Sequence, residues 1–530
     1  MNIDFDRWPE DFAERYRRTG YWRGEILADI ARDHRQNCPD RIAIVEKERR
    51  LSYGELNDRA DRFAGGLLAL GLKPGDRLVI QLPNILEFAI ATLGMFRAGV
   101  VPVFALPAHR AHEITYLCET SEAVAYLCVD EYAGFDYRSL ARHAMDAIPT
   151  LRHAIVVGAP SGLTAFETVD APLRTAIATD PAEVAFFLLS GGTTGLPKLI
   201  PRTHDDYAYQ LRRTAEVLDF DQDGIYLACV SISHNAALGC PGLLGTLRAG
   251  GKVLLPRTPS PDDVFPLVMR EGVTLTTLMP PLVLIWLEVI EDYLVDLSRM
   301  ILQVGSARFA PELAKRVRTE LGCRLSHWFG MAEGLLTCTR LDDAQDIIET
   351  TQGRPICPDD ELMVVDEEGE PVPPGGVGEL ITRGPYTLRG YYKAAAHNAQ
   401  AFTADGFLRT GDLVRITADG NLVVEGRIKD VINRGGEKIV ASEIEDALAT
   451  HPGIREVALV ALPDTTMGEK SCVCIVAREP APSLQQIKDF LRDRGFATYK
   501  LPDLIQVLDT MPRTSAGKLN KAELRRRYSG

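Results

Sequence analysis

Nine residues constrain this chain more than any others. Ser190-Gly191-Gly192-Thr193-Thr194-Gly195-Leu196-Pro197-Lys198 holds three glycines, three hydroxyls and one lysine. It follows the apolar run Ala185-Phe186-Phe187-Leu188-Leu189, so a strand leads into a donor-rich loop. Lacking a Cβ, glycine lets backbone N–H groups close on an anion, and the hydroxyls and lysine add further donors. That is the chemistry of holding a polyphosphate. It is not a Walker A loop: the G-x-x-x-x-G-K-[ST] spacing is missing, and Pro197 stands where that motif has glycine. On composition alone a Gly/Ser/Thr surface turn has the same look, so the rest of the chain must decide.

A chain of 530 residues is too long for one compact core, and two or more domains are expected. Hydrophobic content of 46% with 25% charged residues describes an ordinary soluble globular protein. A net charge of -14 argues against nucleic acid or an anionic membrane as the main partner. Ten cysteines are scattered without CxxC pairs. Cys472-Val473-Cys474 is read as strand positions alternating between opposite faces, hence buried packing rather than a metal site. A reduced, cytoplasmic compartment is expected. The start, Met1-Asn2-Ile3-Asp4-Phe5-Asp6, is acidic and polar, unlike a signal peptide. The most apolar region, Leu82 to Ala108, is broken by Glu87, Arg97 and prolines, and reads as core rather than a membrane span.

Strand-like and amphipathic helical runs alternate through the first ~430 residues, which favours α/β layers with parallel sheets. Arg77 to Leu82 reads as a strand, Ile85 to Arg97 as a helix, and Val100 to Val103 as a strand again. Pro371-Val372-Pro373-Pro374-Gly375-Gly376 punctuates the chain before the β-rich run Gly378 to Thr382. Ser442 followed by Glu443 and Glu445 reads as a serine-capped helix start.

The Ser190–Lys198 loop resembles the phosphate-binding motif of the adenylate-forming superfamily: acyl-CoA synthetases, luciferases and the adenylation domains of nonribosomal peptide synthesis. The resemblance continues in order through Trp328-Phe329-Gly330-Met331-Ala332-Glu333-Gly334, Tyr391-Tyr392-Lys393 and Arg409-Thr410-Gly411-Asp412. It runs on through Glu425 to Asp430, Asn433 to Ile439, and Pro512 to Lys518. It implies a large N-terminal domain, residues 1–428, of parallel-sheet α/β subdomains plus a small β-barrel-like region. A small mobile α+β C-terminal lid, residues 429–530, follows. The implied substrate is ATP with Mg²⁺. Adenylation joins a carboxylate to the α-phosphorus and expels pyrophosphate, so two anions must meet among cations and donors.

By resemblance, Lys518 reaches the carboxylate and α-phosphate, with His234 and Lys198 as further catalytic residues. Ser190, Gly191, Gly192, Thr193, Thr194, Gly195, Phe329, Gly330, Met331, Asp412 and Arg427 hold ATP. Phe329 offers a face to adenine and Asp412 accepts from both ribose hydroxyls. Glu333 helps hold Mg²⁺. Lys429 takes the hinge position, where many relatives carry aspartate, and Gly435 and Gly436 line a pantetheine tunnel. Each has a plainer alternative: a surface lysine for Lys518, an Asx-turn for Asp412, core packing for Phe329, a β-turn for Gly435–Gly436.

The acid pocket falls on His234-Asn235-Ala236-Ala237-Leu238-Gly239-Cys240. Amino-acid-activating relatives place an aspartate where this chain has Asn235. A neutral amide cannot compensate a buried ammonium, so the substrate is expected to lack an α-amine. The whole chain resembles stand-alone aryl-acid AMP ligases for 2,3-dihydroxybenzoate and salicylate. Cys240 falls with the salicylate type, since a thiol is a weak partner for a 3-hydroxyl. Small residues at Ala236 and Ala237 depart from that pattern and imply room for a substituted salicylate or a bicyclic hydroxy-heteroaryl acid. Ser306 and Leu336 are expected to line the same cavity.

No carrier-protein serine motif follows Lys518, so the acceptor is expected in trans: the phosphopantetheine arm of an aryl carrier protein, as in siderophore or other nonribosomal peptide pathways, or free CoA. Arg525-Arg526-Arg527 could face an acidic carrier or end a solvated helix. The readings kept open are a 2,3-dihydroxybenzoate-AMP ligase, an aryl-CoA ligase, and a catalytically silent nucleotide-binding scaffold. A homodimer is also left open.

Overall fold

A computed structural model describes residues 3–190, 196–307, 309–434, 437–464, 467–515 and 517–529. Two large sheets dominate the N-terminal part. One has seven strands among the described residues, with Val184–Leu189, Val101–Phe104, Arg77–Gln81, Ala125–Val129 and His153–Val157 parallel in that order. The other has nine, its parallel centre running from Arg324–Gly330 through Ile301–Val304, Leu275–Leu278, Ile225–Leu227 and Lys252–Leu255 to Ile42–Glu46. Buried parallel strands are apolar on both faces, as Leu78, Val79 and Ile80 illustrate.

The Leu82–Ala108 region folds as expected of core. The helix Leu86–Ala98 is buried over its whole length. It lies so close to the helix Tyr53–Ala69 that a Cβ on Gly94 would stand 2.9 Å from the Ala60 carbonyl oxygen. Arg97 is fully buried and donates to the Asn57 carbonyl at 2.9 Å and to Asp61 at 3.0 Å. Among the described residues no helix is long and apolar enough to cross a membrane.

The region expected to be barrel-like is a four-stranded antiparallel sheet: Glu361–Val365, Gly378–Arg383, Leu408–Ile416 and Leu422–Arg427. It closes over a small apolar cluster of Leu335, Leu380, Val414 and Leu422. A single 3-10 turn, Ile428–Asp430, leads from it into the C-terminal sheet. That sheet holds Val431–Arg434, Glu437–Val440, Ile454–Asp464, Gly468–Ala477 and Leu504–Val507, with helices Ala441–Ala449, Leu484–Asp493 and Lys521–Tyr528.

Two local expectations need correction. Cys472 and Cys474 are buried packing, but they share one sheet face, with Ala458, Val460 and Leu462. Residues two apart on a strand point the same way, and Val473 alone faces the other cluster. The helix expected to start on a Ser442 cap begins two residues earlier, at Ala441. Val440 holds the N-cap position without a side-chain bond. Ser442 lies inside the first turn and donates instead to the Glu425 carbonyl oxygen, tying this helix to the four-stranded sheet.

Candidate functional site

The site is assembled where strand ends of both large sheets, the four-stranded sheet and the C-terminal loop converge. The strands Val184–Leu189 and Leu199–Thr203 pair antiparallel up to Leu189 and Leu199. Beyond them Ser190 and Lys198 close the neck of the glycine-rich loop. Ser190 N–H donates to the Lys198 carbonyl at 3.0 Å, and Lys198 N–H donates to Ser190 Oγ at 3.0 Å. Gly191, Gly192, Thr193, Thr194 and Gly195 lie outside the described residues, as do Gly435 and Gly436.

Lys198 Nζ sits 5.9 Å from the centre of the Tyr391 ring. The Tyr391 hydroxyl in turn donates to Glu333 Oε1 at 3.0 Å. Glu333 follows the strand Arg324–Gly330 in a turn closed by Gly334 N–H on the Met331 carbonyl at 3.2 Å. Gly334 has φ +147, and a Cβ there would meet Thr387 Cα at 2.3 Å, so this turn requires glycine. Glycine holds it open and Leu388 N–H pins the Glu333 carbonyl at 2.7 Å, leaving the carboxylate as the group that projects.

Asp412 and Arg427 are cross-strand partners and form an ion pair at 2.7 Å. The Asp412 carboxylate is buried and Arg427 is exposed. Burial raises the Asp412 pKa, and the positive charges of Arg427 and Lys518 oppose that rise. Lys518 arrives from the C-terminal end on a tight loop. Thr514 N–H donates to the Lys518 carbonyl at 2.7 Å, and Lys518 N–H to Thr514 Oγ1 at 3.2 Å. Gly517 has φ +78, and a Cβ on it would come within 3.8 Å of Met279, before the helix Pro280–Val289. Burial lowers the Lys518 pKa, followed by Arg427; Glu333 and Asp412 pull it back up. Lys518 also bears on His234, whose pKa burial, and then this charge, push down to about 4. At neutral pH the imidazole is therefore uncharged.

The segment His234–Cys240, expected from the sequence to line the acid pocket, is held by the helix His204–Glu216. His234 caps the short helix Asn235–Gly239, its Nδ1 accepting from Ala236 N–H. Asn235 Oδ1 accepts from the Tyr207 hydroxyl at 2.9 Å and from Gln210 Nε2 at 3.2 Å. Gln210 Nε2 also reaches the Gly239 carbonyl at 3.0 Å and Cys240 Sγ at 3.6 Å. Gln210 Oε1 accepts from Arg202 Nη2 at 2.9 Å. Arg202 is fully buried, paired with fully buried Asp206 at 2.8 Å, and donates to the Ala332 carbonyl at 3.0 Å. Burial pushes the Cys240 thiol up to about 12, so it stays neutral. A Cβ on Gly239 would stand 2.2 Å from the Tyr207 hydroxyl, so no larger residue fits there.

Ala236 is half-buried. Ser306 and Leu336 flank opposite sides of the strand Arg324–Gly330. Ser306 follows its parallel neighbour Ile301–Val304 and adopts φ +68; Leu336 pairs antiparallel with Gly330. Phe329 packs partly against the cluster of the four-stranded sheet, and Met331 against the main core. Lys429 lies in the connecting turn, its pKa lowered by burial and then by Arg427. Arg525 does not project freely: it pairs with Asp430 and donates to the Lys429 carbonyl at 3.2 Å. Arg526 and Arg527 pair with Glu523.

Sequence reasoning missed Arg202, Asp206, Tyr207 and Gln210. Their signal was present: Arg202, Asp206 and Gln210 recur every four residues across a strand-to-helix junction, one helical face. Polar residues at that spacing usually mark a solvated face, and here the face is buried.

Among the described residues no group of three or more His, Cys, Asp or Glu could hold a metal ion. Glu333 and Asp412 are instead carboxylates of one cluster with the cationic Lys518 and Arg427. That donor set suits Mg²⁺ shared with phosphate oxygens and water.

Residues 31–392 match the AMP-binding enzyme family, and residues 443–518 match the AMP-binding enzyme C-terminal domain. The chain is 51% identical to a 2,3-dihydroxybenzoate-AMP ligase of Bacillus subtilis, over 99% of this chain and 98% of that protein. It is 48% identical to a salicylyl-CoA synthase/salicylate adenylyltransferase of a Streptomyces species, over 98% and 97%. It is 44% identical to a salicyl-AMP ligase/salicyl-S-ArCP synthetase of Mycobacterium tuberculosis, over 98% and 93%. The apo structure of Mycobacterium smegmatis MbtA superposes with a TM-score of 0.77 at 43% identity, covering 99% of this chain and 98% of that one.

Proposed function

The chain belongs to the AMP-binding enzymes, the adenylate-forming ligases, and we propose that it activates a hydroxylated aryl acid and passes it to a carrier-protein thiol. In the first step a carboxylate oxygen of the acid bonds to the α-phosphorus of ATP, and the bond from that phosphorus to pyrophosphate breaks. In the second, the thiol displaces AMP. Relatives with this overall sequence carry names for both 2,3-dihydroxybenzoate and salicylate. Cys240 favours salicylate or a ring-substituted salicylate here, with the catechol as the alternative.

One observation carries the reading. Lys518, from the C-terminal part, shares one electrostatic cluster with Glu333, Asp412 and Arg427 and also acts on His234 of the acid segment. Lys518 is thus the cation coupled both to the Glu333 and Asp412 carboxylates and to His234, and a carboxylate and an α-phosphate would meet at it. Neutral His234 does not compete for that role as a second positive charge. Asp412, held by Arg427, is the acceptor for the ribose hydroxyls, and Ser190 and Lys198 frame the phosphates. Glu333 is the Mg²⁺ ligand; the ion when bound neutralises phosphate charge. Lys429, between residues 1–428 and 429–530, is the hinge about which the lid turns between the two steps. The setting is cytoplasmic.

The test is ATP–pyrophosphate exchange with a panel of aryl acids. Exchange that needs both an aryl acid and Mg²⁺, with AMP as the nucleotide product, supports the reading; ADP release would refute it. Loading of a phosphopantetheinylated aryl carrier protein in preference to free CoA decides the acceptor. The alternative acceptor, CoA, is favoured by the name of one relative.

A further inference from the structure

We infer that Tyr391, clamped at its backbone by Asn398, is a positioning residue for Glu333: its hydroxyl occupies Oε1, so that Oε2 is the oxygen left to meet a divalent cation. This rests on the reading of Glu333 as the Mg²⁺ ligand and deepens it. It also gives a task to the Tyr391-Tyr392-Lys393 motif, which the proposed reaction leaves without one.

The segment from Leu388 to Tyr392 is tied to both the Glu333 turn and the end of the glycine-rich loop. Leu388 N–H donates to the Glu333 carbonyl at 2.7 Å. Tyr392 N–H donates to the carbonyl of Leu199, next to Lys198, at 2.9 Å. Tyr391 itself is buried, and its hydroxyl donates to Glu333 Oε1 at 3.0 Å. The centre of its ring lies 5.9 Å from Lys198 Nζ. Among the described residues Lys198 and Glu333 thus share this side chain rather than an ion pair.

Asn398, on the helix Ala395–Ala401, holds Tyr391 in place. Tyr391 N–H donates to Asn398 Oδ1 at 2.9 Å, and Asn398 Nδ2 donates to the Tyr391 carbonyl at 2.9 Å. A backbone N–H only donates and a carbonyl only accepts, so the amide has one orientation. Asp6 fixes it again by accepting from the same Nδ2 at 3.3 Å. Asp6 comes so close that a Cβ on Gly390 would stand 1.9 Å from its Oδ2. The ring is held as well, by His397 at 5.0 Å and Phe402 at 6.4 Å between centres. Backbone and ring being fixed, the hydroxyl is delivered to one place.

Glu333 is therefore held at its carbonyl by Leu388 and at one carboxylate oxygen by Tyr391. Oε2 makes no hydrogen bond or ion pair among the described residues. Mg²⁺ demands near-ideal octahedral geometry and is held through one or two carboxylates with phosphates and water. A carboxylate that presents one oxygen in one place meets that demand without first having to be ordered. Partners that orient a metal-binding carboxylate are worth about 10–100-fold in metal affinity or activity.

The test is calorimetric titration of ATP in EDTA and in Mg²⁺, with wild type, Tyr391→Phe and Asn398→Asp. Phenylalanine keeps the ring beside Lys198 and removes only the hydroxyl. Aspartate keeps the volume and sets an acceptor against the Tyr391 carbonyl. Mg²⁺ should tighten ATP binding in the wild type. Tyr391→Phe should shrink that tightening by about tenfold, and Asn398→Asp severalfold, with binding in EDTA unchanged. In pyrophosphate exchange the Mg²⁺ needed for half-maximal rate should rise by the same factors, while KM for the aryl acid stays as it is. Glu333→Gln should lose the Mg²⁺ effect, and adding Tyr391→Phe to it should lose nothing further, because the hydroxyl acts through Glu333. A Tyr391→Phe variant that weakens ATP equally with and without Mg²⁺ has lost only structure, and that result overturns the inference. So does wild-type Mg²⁺ dependence in Tyr391→Phe. Should Asn398→Asp fail to fold, Tyr391→Phe decides alone. If Glu333→Gln keeps the whole Mg²⁺ effect, the reading of Glu333 as the ligand falls and the role of Tyr391 with it. If Glu333→Gln loses the effect and Tyr391→Phe keeps it, that reading stands and only the role of Tyr391 is removed.

Discussion

The proposed acid end and the proposed nucleotide end of this site are built on opposite electrostatic plans. Around Asn235 every titratable group is either neutral or cancelled: Cys240 and His234 are uncharged, and Arg202 is paired with Asp206 inside the protein. Around Asp412 the charges are live and partly exposed, with Arg427 on the surface and Lys518 delivered from another part of the chain. A fixed, desolvated pocket discriminates shape and hydrogen-bond polarity, because an unmatched buried polar group is costly. A cluster of mutually compensating charges is suited to transition-state charge, which must be stabilised as it develops. The two plans meet at Arg202, which anchors Gln210 on one side and the Ala332 carbonyl, next to Glu333, on the other.

The largest expected effect breaks the acid end. Arg202→Met strands the Asp206 carboxylate without its partner, and losing one member of a buried ion pair costs about 3–5 kcal/mol. Thermal or denaturant unfolding should show that loss, and adding Asp206→Leu should restore much of it. Stability equal to wild type in the single variant would mean that the pair is not sealed from water.

The nucleotide end should respond in rate instead. Lys518→Ala should slow adenylate formation by about 10²–10³, by analogy with removal of a donor aimed at developing charge. Its melting temperature should hardly move, because the loop around it is held by Thr514 and Gly517 backbone bonds. Transfer from pre-formed aryl-adenylate should suffer far less. Equal loss in both half-reactions would defeat the view that this lysine serves only the first.

A smaller effect distinguishes pH from charge pairing. His109 and His204 are buried, and burial takes each from the usual 6.5 down to about 4. Each Nδ1 accepts a backbone N–H, from Leu106 at 3.2 Å and Leu27 at 3.1 Å. Between those pH values the unfolded chain binds protons that the folded chain refuses, so stability falls as pH drops from about 6.5 to about 4. The loss approaches about 3 kcal/mol for each histidine. Unfolding measured at pH 7 and pH 5 should show it, and replacing His204 with glutamine should shrink the difference.

The two ends also differed in how far the residues alone revealed them. The strand Arg77–Gln81, the helix Leu86–Ala98 and the strand Gly378–Arg383 follow from apolar period and turn residues, and all three stand within a residue or two of expectation. The clustering at the proposed nucleotide end was legible because its groups sit in ordered short motifs: Glu333, Asp412, Arg427 and Lys518 come together across 185 residues of chain. What holds the Asn235 amide was not legible. Gln210 and Arg202 are distant in the chain from Asn235, and polar residues at helical spacing look solvated until the sheet that buries them is known. The Ser442 cap failed for a related reason: a tertiary acceptor, the Glu425 carbonyl, outcompeted the local N–H groups.

The smallest expected effect sharpens the acid end. Cys240 is buried, neutral and only loosely engaged by Gln210 Nε2 at 3.6 Å. A thiol both donates and accepts weakly, so a 3-hydroxyl on the substrate would lose solvent without gaining a good partner. The penalty is bounded, because an apolar pocket rejects an added hydroxyl by only roughly 10²-fold. Salicylate should therefore be used better than 2,3-dihydroxybenzoate by a modest factor. Cys240→Ser supplies a hydroxyl in nearly the same volume and should move the kcat/KM ratio towards the catechol. Ala236→Tyr fills the space that the alanine leaves and should cost a methylsalicylate more than it costs salicylate. A wild type that prefers the catechol would remove Cys240 from the selectivity argument, and an Ala236→Tyr variant that slows small and large acids alike would show that the alanine merely packs.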